Sequence, residues 1–135
     1  MKKRDRKELE KYVRFVADDM ELRDWTIVLV AEPCEARHDA TITPTFGQKL
    51  AHLRVCKDFR AQHPESQRKT IVHELLHCHW HAAWEMVDTD LEKALGGQGG
   101  LLFSAGFNRN AETALDATAA ALAKHLPFID WPAKK

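Results

Sequence analysis

"KTIVHELLHCHWHAAW", residues 69–84, places four of the chain's eight histidines within a single short run: His73, His77, His79 and His81. Glu74 follows the first directly, and Ile71, Val72, Leu75, Leu76 and Cys78 between them carry no charge. On a helix, residues four apart stand on one face, with Cβ atoms roughly 5–6 Å apart. His73 and His77 can therefore converge two imidazole nitrogens on one ion at about 2.0–2.1 Å, the usual Zn–N distance. Glu74 flanks the same point and is placed to act as a base without being forced to ligate, which is the logic of H-E-x-x-H. Random placement of this chain's histidines and glutamates would produce that motif in only about 3% of chains. We read the stretch as a metal-binding helix that begins near Pro64–Ser66 and runs to about Met86.

The other two histidines do not fit the same ion. His81 lies about 12 Å along the axis from His73, at 1.5 Å per residue. His79 points roughly opposite to His77. Both are expected at the rim or in structural roles, and Cys78 as a small buried residue. A third ligand must come from elsewhere in the chain.

Upstream, Leu9, Tyr12, Val13, Val16 and Met20 recur at steps of three and four, which predicts an amphipathic helix over 7–22. "WTIVLVAE" (25–32) is β-branched and predicts a buried strand. "DATITPT" (39–45) predicts a shorter strand whose Pro44 marks an edge or an end. "KLAHLRVC" (49–56) alternates and predicts a half-buried strand, with Gly47 in the turn before it. We expect this last strand to offer its edge to an extended peptide. Downstream, "GGQGGLLFSAG" (96–106) holds five of the six glycines and predicts a loop. Asn108 or Asn110 would then cap an alanine-rich helix ended by Pro127, and "FIDWPAKK" would form an apolar strap. This order of elements predicts a single α+β domain over residues 1–135, with an N-terminal helix, a short mostly antiparallel sheet, the histidine helix and a C-terminal helix.

The third ligand is sought in "NRNAETALDATAAALA". Glu112 and Asp116 are four apart on a helix otherwise nearly free of charge. Carboxylates on a closely packing face are costly to bury unless a cation receives them. Glu112 can ligate the ion, while Asp116 can accept the N–H on the far side of a ligating ring. The same two acids would also suit a solvated helix face.

H-E-x-x-H followed by a helix bearing E-x-x-x-D resembles the gluzincin metallopeptidases, and in so short a chain most resembles the minimal gluzincins of bacteria and their phages. The resemblance spans roughly 70–116 at motif level. It implies a zincin-like fold and zinc-dependent hydrolysis of peptide bonds. Zn2+ would be held by His73, His77 and Glu112, with Glu74 as general base and Asp116 supporting a histidine. The chain departs from the pattern at His79, where such peptidases usually carry an apolar residue. A SprT-like protease would need a third histidine after the helix, and beyond His81 there is only His125. A regulatory protease with one protein partner, or a non-catalytic zinc-binding module, are the other functional classes. His38, His52, Arg109, Tyr12 and Arg68 are the candidate donors to an oxyanion.

Composition sets the remaining bounds. Lys and Arg number 20 and Asp and Glu number 20, so no basic excess points to nucleic acid. No apolar run approaches the roughly 18 residues of a membrane span, and the charged start does not resemble a signal peptide. Three cysteines without a C-x-x-C pair point to reduced thiols and a cytoplasmic setting. A peptide or protein substrate is the expected partner.

Overall fold

The computed structural model describes residues 1–45 and 47–133, with Glu92 by its backbone alone. Helix α1 (Lys3–Asp19) opens the chain and buries Leu9, Tyr12, Val13, Val16 and Ala17 along one face. It starts four residues earlier than the apolar periodicity predicts, because Asp5 is also buried there and pairs with Arg60 at 2.6 Å. Glu21, at φ +57°, reverses the chain after α1.

Strands β1 (Thr26–Leu29), β2 (Ala40–Pro44) and β3 (Leu50–Val55) form one sheet in the order β1-β3-β2. β1 runs parallel to β3, with Thr26 opposite Leu50, and β2 runs antiparallel to β3, with Ile42 opposite Leu53. The sheet is therefore mixed, which corrects the mostly antiparallel expectation. β1 is not a buried strand either: as an edge strand it buries Leu29 and leaves Thr26 and Val28 exposed. The alternation of β3 holds, with Ala51, Leu53 and Val55 buried and His52 and Arg54 between them on the other face. But β3 is the central strand, paired on both sides, so it has no edge to offer. The edge beside the histidine helix belongs to β2.

Helix α2 (Pro64–Glu85) carries the motif. His63 caps it, its Nδ1 accepting the Glu65 N–H at 3.4 Å, and Pro64 fills the first turn where no N–H is needed. Ile71, Val72, Leu75 and Leu76 anchor α2 in the core with Leu9, Leu53 and Leu115. A π-helical segment (Met86–Leu91) and a short α3 (Glu92–Leu95) lead to α4 (Gly97–Ala123).

The glycine-dense segment 96–106 is thus the start of a 27-residue helix, not a loop. Each glycine costs roughly 1 kcal/mol against alanine in a helix, and tertiary contacts offset that cost here. Ser104 donates to Asp88 at 3.2 Å, Phe107 packs edge-on to Trp84 at 5.5 Å, and Trp84 Nε1 donates to Asn108 at 2.7 Å. Asn108 is consequently a mid-helix partner rather than a cap. Gly96, at φ +71°, makes the break between α3 and α4.

The C-terminal segment crosses α1 and α2 as a strap. Tyr12 donates to Pro127 O at 2.9 Å, Arg68 to Leu126 O at 2.7 Å, and Trp131 Nε1 to the buried Gln67 at 2.9 Å. Among the described residues no helix is long and apolar enough to cross a membrane.

Candidate metal centre

α2 packs on β2 on one side and on α4 on another. The contact with α4 is close because alanines form most of it: Ala111, Ala119 and Ala123, with Leu115 in the same row spaced by four, are all buried. Glu112 and Asp116 stand one position round from that seam, at the rim of the helix pair. Their side chains are 49% and 61% exposed, yet both reach the histidines of α2.

His73 Nε2 lies 3.2 Å from Glu112 Oε2, and His77 Nε2 lies 3.6 Å from Glu112 Oε1. One ligand atom from each of the three residues falls within 4.8 Å of the other two. Ligands about 2.0–2.1 Å from a tetrahedral ion stand about 3.3–3.5 Å apart along its edges. Glu112 stands at about that spacing from both rings, and two imidazole nitrogens with a carboxylate form a group that could hold a metal ion.

Protonation favours the same use. Burial, the larger cause, and the neighbouring His73 hold His77 below the usual histidine value against the opposing pull of Glu112. A neutral imidazole is the form that ligates. On the far side of the His73 ring, Nδ1 lies 3.2 Å from Asp116 Oδ1, and Lys69 Nζ lies 3.3 Å from the same oxygen. Asp116 thus lies between the Lys69 ammonium and the far side of the His73 ring, whose Nε2 faces Glu112.

Glu74 is 7% exposed, the most buried acid beside the cluster. Burial pushes its carboxyl up to about 7; a hydrogen bond from the Ile42 backbone opposes the rise and Glu112 adds to it. A carboxyl poised there can take and return a proton at neutral pH.

That hydrogen bond follows from the register of β2. Thr45 N–H donates to Leu50 O and Cys56 N–H to Asp39 O, so the odd-numbered residues of β2 bond to β3. Ala40, Ile42 and Pro44 then turn their backbone groups to the free edge. Ile42 N–H serves Glu74, while the carbonyls of all three and Ala40 N–H face outward. A cavity of about 350 Å³ opens at the Ala40 end and includes His38, His73, Glu74 and Asp116 in its wall. A smaller one of about 180 Å³ opens at the Pro44 end, beside His77, His81 and Trp84.

The five residues singled out by the motif, His73, Glu74, His77, Glu112 and Asp116, are thus brought to one place. His79 is elsewhere, its Nε2 2.8 Å from Met20 O, and His81 packs edge-on to Trp25 at 5.6 Å. Of the candidate oxyanion donors, His38 lines the larger cavity. Tyr12 and Arg68 are committed to the C-terminal strap, and His52 lies on the solvent face of β3. Trp84 was not anticipated; its ring lies 5.1 Å from that of His77 and braces it. Its position, two turns beyond His77 on the same face, was the available signal. No family model, curated protein or solved structure matches the chain.

Proposed function

We propose that the chain is a zinc-dependent peptidase of gluzincin type, with a zincin-like fold and a cytoplasmic setting. The observation that carries this reading is the His73–His77–Glu112 cluster with Glu74 buried against it and a strand edge alongside. Among the described residues the cluster offers three protein ligands. A closed structural zinc site takes four, whereas a catalytic one leaves a position open. The carboxylate of Glu112, rather than His125, completes the cluster, which favours the gluzincin over the SprT-like alternative.

When bound, zinc lowers the pKa of a coordinated water toward about 7 and polarises a carbonyl. Glu74 accepts the proton from the attacking water and returns it to the leaving amine nitrogen. Ile42 N–H holds the Glu74 carboxylate in place for both transfers. Asp116 keeps the His73 ring oriented through Nδ1. The outward backbone groups of Ala40, Ile42 and Pro44 receive an extended peptide as an added strand, and His38, which lines the same cavity, is the candidate donor to the developing oxyanion.

The test separates binding from chemistry. Zinc-loaded wild-type protein should cleave an unstructured protein substrate, and Glu74→Gln should keep fold and zinc but lose cleavage. Undiminished cleavage by Glu74→Gln would remove the general-base assignment. Zinc binding without cleavage of any peptide pool would favour the non-catalytic module instead.

A further inference from the structure

The cavity at the Ala40 end lacks the apolar floor of an ordinary side-chain pocket. Its wall on α2 is Ser66, Lys69 and Thr70 beside His73 and Glu74, and its wall on the loop before β2 includes Arg37, His38 and Asp39. The acids that face it each have a partner, a neutral amide for Asp39 and Glu74 and the Lys69 cation for Asp116. Asp39 accepts from Gln62 at 2.6 Å, Asp116 is shared by His73 and Lys69, and Glu74 is held by Ile42. The cations are less committed. Lys69 has three N–H donors and Asp116 accounts for one. Among the described residues Arg37 pairs with Glu35, at 3.2 Å, in a bridge where both side chains are over 70% exposed. Such exposed pairs hold weakly and exchange partners easily. Ser66 lies in the first turn of α2, where the helix dipole also favours negative charge.

The direction of β2 says which part of a substrate meets this wall. β2 runs from Ala40, at the polar cavity, to Pro44, at the small cavity beside Trp84. A peptide added antiparallel to it runs the other way, passing Trp84 first and the polar cavity last. The residue that follows the scissile bond is therefore the one seated beside Lys69.

We infer that this cavity selects an acidic side chain, glutamate or aspartate, on the residue that follows the scissile bond, with Lys69 and Arg37 as its counter-charges. The inference rests on the peptidase reading and adds to it a substrate class: peptides cut before an acidic residue.

The test uses binding, so that it does not depend on turnover. Short peptide hydroxamates, whose hydroxamate takes the metal, carry Glu, Gln, Leu or Lys as the next residue, and their Kd for the zinc-loaded protein is measured by calorimetry. The Glu ligand should bind about tenfold more tightly than its Gln isostere. Lys69→Met, checked for full zinc loading, should erase most of that ratio, and Lys69→Glu should make the Lys ligand the tighter one. A Leu ligand that binds best, a Glu/Gln ratio near one, or a ratio unmoved by both Lys69 substitutions and by Arg37→Ala would overturn the inference. Failure of the peptidase reading looks different: the hydroxamates bind with the Glu preference, yet no peptide is hydrolysed.

Discussion

The Nδ1 of His73 stands 3.2 Å from the Oδ1 of Asp116, on the side of the ring opposite Glu112. One imidazole thus faces two carboxylates of α4, one helical turn apart, through its two nitrogens. On the proposed reading, Nε2 takes the ion and Nδ1 faces the supporting acid. Asp116→Asn keeps volume and an acceptor but removes the charge. Zinc affinity should fall by about 10–100-fold. Competitive titration against a chelating dye measures it, and an unchanged affinity would return Asp116 to an ordinary surface role.

Without metal, Glu74 should make the protein less stable as pH rises. Burial raises its carboxyl from the ordinary 4.5 to about 7 in the fold. Between those values the native state holds a proton that the unfolded chain has released, so stability falls as pH rises from about 4.5 to 7 and then levels off. The full difference is about 3 kcal/mol as an upper figure. Glu74→Gln, which cannot ionise, should therefore be more stable than wild type at pH 8 and close to it near pH 4.5. Urea unfolding with a chelator present reads both points. Parallel curves for the two proteins would mean that the buried carboxylate is solvated after all.

Acidification should release the metal. The site needs neutral rings, and burial holds His77 below the usual value, so protons compete for it late. Zinc should stay bound at pH 7 and be lost below about pH 5–6, as protons compete with the ion for its ligands. Dialysis at stepped pH with metal analysis follows the loss. Retention at pH 4 would point to ligands other than histidine.

Trp84 should support the site without touching the ion. Its Nε1 donates to Asn108 at 2.7 Å and its ring contacts those of His77 and Phe107. Trp84→Phe keeps most of the packing and removes the donor, which should cost about 1 kcal/mol of stability. Trp84→Ala also removes the ring contacts, and should cost about 2–4 kcal/mol and weaken zinc binding by freeing the His77 ring. Thermal unfolding with and without zinc separates the two effects.

The sequence carried the site better than the sheet. His73, Glu74 and His77 are legible because helical periodicity alone sets their geometry. Glu112 and Asp116 are legible as two acids four apart on an alanine-rich helix, but they flank the buried seam at its rim, 49% and 61% exposed, and do not lie on the packed face that the sequence suggests. Strand order is not local in this way. The alternation in 49–56 reports one solvated face, and a central strand with an uncovered face shows it as plainly as an edge strand does. The glycines of 96–106 misled for the reverse reason: their weak helix propensity is local, whereas Phe107, Asn108 and Ser104 gain their partners from α2 and the π-helical segment. Lys69, four residues before His73, was within reach of the same helical arithmetic. Arg37 was not, because nothing in a loop sequence tells which cavity it will border.

The central claim is tested most directly by a crystal of the zinc-loaded protein measured on both sides of the zinc absorption edge. The account predicts one strong anomalous peak per chain, about 2.0–2.2 Å from His73 Nε2, His77 Nε2 and a Glu112 carboxylate oxygen. Its fourth position should hold solvent, with Glu74 beside it. A peak at His79 or His81, a fourth protein ligand closing the site, or no peak at all in zinc-saturated crystals would contradict it.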